Sequence, residues 1–298
     1  MTSRLRIPGL VDLLRLDDPA SIADASEDTR LDREFTGGGP LLNRLIARRI
    51  RRTLRTPTAP LPSVSPRTYP RRGERQAELR TRLNGFVSAG TIAPDHVAEL
   101  AAYVRGEREE DTIGPMAQEA IGRLFVSDYR ATPQTWRAAC VLEAAPRSMN
   151  LLRTLYWIAT GAVTRSRRVL CGAVGDDPPA VHATAIAVHS LVRSLRAMRE
   201  LWLEPGARDR MSKPTAVARC LRAPESVPRR WSAAATTKWG TFPVGALVLL
   251  RLDAARIRHP EPEITFMAAS WSHCPAGDWT MALLGAVWES ACSSESIR

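Results

Sequence analysis

The feature that most limits what this chain can fold into is its long helical middle. From residue 74 to about 210, apolar residues recur at three- and four-residue intervals. The stretches are "ERQAELRTRLNGFVSAG", "PDHVAELAAYVRG", "IGPMAQEAIGRLF", "TPQTWRAACVLEAA", "NLLRTLYWIATGAV" and "AVHATAIAVHSLVRSLRAMREL". That spacing predicts successive amphipathic helices. Thr132 and Pro133 open one of them, and "GDDPP" (175–179) opens the longest. A further short helix is expected over 211–223. After it the texture changes: "WGTFPVGALVLLRLDAAR" (239–256) reads as strands and turns bounded by glycine and proline. Residues 1–35 read as a short helix or strand region followed by acidic turns. "TGGGP" (36–40) breaks the chain before "NRLIARRIRRTLR" (43–55), an amphipathic helix with a basic face. The proline-rich segment 56–73 is a loop. No repeat is visible. The expected class is mainly α, with a small β region near the C-terminus, and 1–298 as a single domain.

Composition narrows the function classes. The chain has 298 residues, 44% of them apolar, enough for a substantial core. No segment approaches the roughly 20 apolar residues of a membrane span, and the N-terminus lacks a signal-peptide pattern. No membrane partner is expected. The five cysteines, Cys140, Cys171, Cys220, Cys274 and Cys292, are scattered and form no CxxC. That argues against a disulfide framework or a zinc finger and for a cytoplasmic setting. The net charge is +11, and nearly all the cations are arginine, with Lys213 and Lys238 the only lysines. The surplus is either the codon habit of a GC-rich genome or the mark of an anionic partner. No nucleic-acid module accompanies the basic helix, so no nucleic-acid partner is expected.

One cysteine stands out. In "SWSHCPAGDW" (270–279), Cys274 precedes a helix opened by Pro275, favoured by Asp278 in its first turn, and carrying Trp279, Ala282, Leu283, Ala286 and Val287 on an apolar face. A helix start offers unpaired N–H groups and a positive dipole, both of which favour a thiolate, a good ligand for a soft metal. A lone cysteine in such a place is otherwise a small buried apolar residue.

Three stretches in order change the meaning of Cys274. "AVHAT" (180–184) lies within the long helix, "ARCLR" (218–222) with "APESVPRR" follows, and the chain then runs through "PVGALVLLRLDAARIRHPEPEITFMAASWSHCPAGDW". Together they resemble the haem-thiolate superfamily, the cytochromes P-450, over residues 175–292, with a looser likeness in the first 35. The resemblance implies a shortened, N-terminally trimmed member of that helical fold, with 175–292 as its haem-binding core. It implies haem b, Cys274 as proximal iron ligand, and Arg229 or Arg230 on a haem propionate. Thr184 and His182 would lie on the distal side, and Arg222 would lock the core.

The departures are specific. The phenylalanine, glycine and basic residue expected seven, four and two places before the cysteine are Met267, Ser270 and Ser272, so His273 or an arginine elsewhere must face the propionates. Arg219 replaces the glutamate partner of Arg222, and Ala183 replaces the acid before Thr184. His182 and His189, seven apart, would share one helix face.

The resemblance implies oxidative, peroxide-dependent or rearrangement chemistry on a small organic molecule in bacterial specialised metabolism, with a ferredoxin-type donor as a further partner. The alternatives are a non-catalytic haem-binding accessory or sensor protein, and a basic helical binding protein without haem.

Overall fold

The computed structural model describes residues 2–35, 37–90, 94–148, 150–206, 210–259, 262–268 and 270–293. Three strands come from the N-terminus: β1 (Ser3–Ile7), β2 (Val11–Leu16) and the short β3 (Leu31–Asp32), with α1 (Pro19–Glu27) between the last two. Asp18 caps α1 by accepting the Ser21 amide at 2.8 Å. Then come α2 (Leu41–Thr53), α3 (Arg72–Ser88), α4 (Pro94–Val104), α5 (Ile113–Gly122), α6 (Pro133–Ala144), α7 (Leu151–Thr160) and α8 (Ala162–Val174). The capping chemistry of Thr132 is realised as a reciprocal pair with Thr135.

The longest helix opens on Asp177, whose carboxylate accepts the Ala180 amide. It runs as α9 (Pro178–His182), a π-helical segment (Ala183–Ala187) and α10 (Val188–Leu203). The apolar faces of α4, α5, α10 and the C-terminal helix meet in the main core around Leu100, Tyr103, Leu195, Met198, Leu284 and Trp288. α11 (Lys213–Cys220) follows.

The C-terminal β region contributes β4 (Val227–Trp231), β5 (Ala235–Thr237), β6 (Gly240–Phe242) and β7 (Leu247–Leu250). They do not form a separate unit. The five-stranded sheet has the order β1-β2-β7-β4-β3, so the expected C-terminal β region is completed by three N-terminal strands. β2 pairs with β7 in parallel, Leu13 opposite Leu247, and the other pairings are antiparallel. β5 and β6 make a separate hairpin. The run read as strands and turns over 239–256 ends differently: after β7, "LDAARIR" coils into α12 (Leu252–Arg258). Leu252 and Ala255 drop into the sheet's core there, and Asp253 sits in the first turn, so tertiary burial and helix-start chemistry outweigh the strand texture. α13 (Pro262–Phe266) and α14 (Gly277–Ser293) bracket the cysteine loop.

Candidate functional site

The site forms where the loop between α13 and α14 meets β4 and the N-terminus of α3. In the loop, the Cys274 amide donates to the Phe266 carbonyl at 2.8 Å and the His273 amide to the Ser270 carbonyl at 3.0 Å. Two backbone features mark its borders. Met267 (φ 53°) and Arg71 (φ 55°) are the two non-glycine residues with left-handed φ among the described residues. Such strain persists only where the surroundings over-determine it.

Alternation along β4 sends neighbouring arginines to opposite faces. Arg229 is buried, and its Nη2 donates to Ser272 Oγ at 2.7 Å and lies 3.8 Å from the Met267 sulfur. Arg230 turns the other way and donates to the Gly38 carbonyl at 2.6 Å. The structure therefore brings Arg229 to the cysteine loop and Arg230 to the turn that follows β3.

Residues that sequence reasoning missed complete the cluster. Arg33 donates to the Ser272 carbonyl at 3.0 Å and to the Pro62 carbonyl at 2.7 Å. Arg72, on the first turn of α3, donates to the Ser65 carbonyl at 2.8 Å. Gln76, one turn on, donates to the His273 carbonyl at 2.6 Å. Arg33, Arg67 and Arg72 all lie within 6 Å of the Trp271 ring, at 5.5, 5.9 and 4.9 Å. Asp32 is the nearby carboxylate, and it is engaged by the amides of Arg33 and Arg67. The only sequence signal for Arg33 was its place in "LDREF", within the loosely matching N-terminal segment.

The electrostatics of this cluster are unbalanced. Burial, then Arg229 and Arg72, push the Arg33 guanidinium well below its ordinary range, and Asp32 and Cys274 pull it back only in part. Burial lowers Arg229 to about 9, with Arg72 adding to the effect. Arg72 is lowered by burial as well. The Nε atoms of Arg33 and Arg72 are buried without a hydrogen-bond partner. Three crowded cations, with spare donors on Arg33 and Arg72, define a place for an anion.

The Cys274 side chain has open surface although many protein atoms surround it. The helix start was expected to favour its thiolate. The balance runs the other way: burial pushes the thiol up, and the Ala276 amide and Arg33 offset that only partly.

His182 lies near the same cluster. Burial, then Arg33 and Arg72, bring it down to about 4, and its Nδ1 has no partner. His189 does not share its face. The π-helical segment between them widens the turn and changes the rotation, and His189 instead lies against the Trp136 ring, tilted by 31° with centroids 5.0 Å apart. Thr184 is fully buried; its hydroxyl donates to the Ala180 carbonyl at 2.8 Å, and its own carbonyl accepts from Gln118 at 3.0 Å. Arg222 stands apart: it donates to the Arg219 carbonyl at 2.8 Å, and the Ser194 hydroxyl accepts its amide. Arg219 pairs with Glu204 at 3.0 Å, so this corner is held by helix-end carbonyls and a surface ion pair. A cleft of about 830 Å³ runs along α3, lined by Tyr69, Arg75, Glu78, Arg82, Asp176 and Asp177 among others. No helix among the described residues is long and apolar enough to cross a membrane.

No protein-family model matches the sequence, and no curated protein matches it. Solved structures do. The chain is similar to a retinoic acid-bound cyanobacterial CYP120A1, with a TM-score of 0.60 at 12% identity, over 98% of this chain and 84% of that one. It is similar to CYP175A1 from Thermus thermophilus, with a TM-score of 0.58 at 16% identity, over 97% and 83%. It is similar to CxnD, a cytochrome P450 enzyme for C–S bond formation in chuangxinmycin biosynthesis, with a TM-score of 0.58 at 14% identity, over 97% and 81%. The fold is that of the cytochromes P450, in a divergent form. The chain is a shortened version of it, spanning 81–84% of these three relatives' lengths.

Proposed function

We propose that this chain is a haem-thiolate protein that binds haem b through Cys274 and acts on a small organic molecule, in bacterial specialised metabolism. The observation that carries this reading is the buried cluster of Arg33, Arg72 and Arg229 around the Cys274 loop, with the Nε atoms of Arg33 and Arg72 left unpartnered. Two haem propionates would supply the missing anions, and the thiol with open surface would ligate the iron. Arg229 takes the propionate role that the sequence left between it and Arg230. Arg33 and Arg72 stand in for the basic residue absent at Ser272, with His273 tied back by its Nδ1 contact to the Ser270 carbonyl.

A thiolate-ligated haem supplies oxidative chemistry by favouring O–O cleavage. The chain's own residues set which oxidant suits it. Ala183 offers no proton, the Thr184 hydroxyl donates its hydrogen bond to the Ala180 carbonyl, and His182 is neutral at physiological pH. With no acid at positions 182–184, the site would suit hydrogen peroxide, which carries its own protons, so that one of its oxygens would go to the substrate and the other would leave as water. A ferredoxin-type donor serves the alternative dioxygen route.

The test is the spectrum of purified protein supplied with haem. Reduced protein with carbon monoxide should give the red-shifted Soret band of thiolate ligation, and Cys274→Ala should lose it. A wild type that takes up no haem overturns the proposal. The missing helix acid also favours a second reading, a haem-binding accessory or sensor protein without turnover. Product formed with peroxide separates the two.

A further inference from the structure

Two stretches of this chain contain no acidic residue at all: 35–73, with nine arginines, and 144–175, with five. Together they hold 14 of the 42 cations and none of the 31 acids, so the remainder carries 28 cations against 31 acids. The whole positive excess of the protein therefore lies in these two stretches.

Tertiary structure joins them. Arg49 of α2 donates to the Ser148 carbonyl at 2.7 Å and to the Thr154 hydroxyl of α7 at 3.2 Å. Arg167 of α8 donates to the Arg52 carbonyl of α2. The result is one face built from α2, α7 and α8.

That face is apolar at its centre. Trp157 anchors α7 inward, while Leu152, Leu155, Tyr156 and Ile158 stand outward, the first and last 79% and 71% exposed. At 100° per residue, the arc from Ile158 through Leu155 and Leu152 to Tyr156 covers about 160° of the helix. On α2, Leu42 and Leu45 share the i, i+3, i+7 stripe with Arg49, the residue that meets α7, and both are exposed. The apolar surface thus continues from one helix to the next. Arg44, Arg48 and Arg51 of α2 and Arg165 and Arg168 of α8 are exposed on the same two flanking helices.

We propose that this face lies in the plane of an anionic lipid bilayer, with the outer arc of α7 and Leu42 and Leu45 of α2 seated among the headgroups and the exposed arginines of α2 and α8 on lipid phosphates. Projecting apolar side chains flanked by arginine-bearing helices, without a single carboxylate in either stretch, are the features of an in-plane interfacial helix. This docking is independent of whether the chain holds haem.

The experiment is flotation of the full chain with vesicles of phosphatidylcholine alone and with vesicles that also contain phosphatidylglycerol. The wild type should float with the anionic vesicles only, and less at high salt. Leu155→Asp and Ile158→Asp change exposed residues, and circular dichroism should be unchanged. Each should weaken binding at least about tenfold. The double variant Arg44→Glu with Arg48→Glu should do the same. No flotation of the wild type overturns the proposal, as does flotation indifferent to both aspartate substitutions. Binding to soluble polyglutamate as tight as to vesicles would assign the face to an acidic protein and overturn it. A wild-type dimer that Ile158→Asp converts to a monomer, with no vesicle binding, would assign the face to a second copy and overturn it too.

Discussion

The Arg229 guanidinium donates to the Ser272 hydroxyl at 2.7 Å, two residues before Cys274. Ser272 in turn shares a 2.9 Å hydrogen bond with Ser270. Strand β4 is thereby clamped to the cysteine loop by a buried cation, whose other terminal nitrogen donates to the Pro228 carbonyl at 2.9 Å. Arg229→Met keeps the volume and removes the charge. A charge-assisted hydrogen bond contributes roughly 1.5–3 kcal/mol, so haem transfer to apomyoglobin should speed up by about tenfold or more. Arg230→Met should leave that rate near wild type, because Arg230 is spent on the Gly38 carbonyl.

His182 links stability to pH. Its folded value is about 4, set by burial with Arg33 and Arg72 facing it, against about 6.5 when unfolded. Between those values the unfolded chain binds a proton that the folded chain refuses. Haem-free protein should therefore lose stability as pH falls from about 6.5 to about 4, by up to about 3 kcal/mol. Urea unfolding near pH 7 and near pH 4.5 measures the loss, and His182→Gln should show a smaller one.

Gly122, near the end of α5, is a packing requirement. A Cβ there would lie 2.2 Å from Cδ1 of the Tyr129 ring. Gly122→Ala should cost about 1–3 kcal/mol by overpacking, seen as a lower thermal midpoint. Combined with Tyr129→Ala, the two costs should be less than additive, since one ring is the shared obstacle.

Thr184 gives its hydroxyl to the Ala180 carbonyl and its main-chain carbonyl to Gln118. Thr184→Ala should cost about 1 kcal/mol of stability and leave peroxide-driven product yield near wild type. A large loss of peroxide product with unchanged stability would show that this hydroxyl swings away from its helix during turnover.

The helical middle was legible because a helix is written locally: the 3.6-residue period, the Thr132 cap and the Asp177 start need only neighbours in sequence. The same holds for α14 after Cys274, which begins at Gly277 with Asp278 in its first turn. The amphipathic pattern of α2 also reads directly from its apolar spacing.

What tertiary structure decided is whatever joins distant residues. Nothing near Leu13 announces its parallel pairing with Leu247, because strand pairing is a contact between faces that only the folded chain brings together. Arg33 and Ser272 lie 239 residues apart, so their hydrogen bond has no local signature. Arg229 and Arg230 are the same residue type side by side, and only the pleat of a strand already placed in the sheet says which one faces the cysteine. The π-helical turn that separates His182 from His189 is invisible to a fixed helical period. Sequence determined the elements and the chemistry available. Packing over long separations determined which arginines, out of forty, were forced into one buried, anion-poor place beside Cys274.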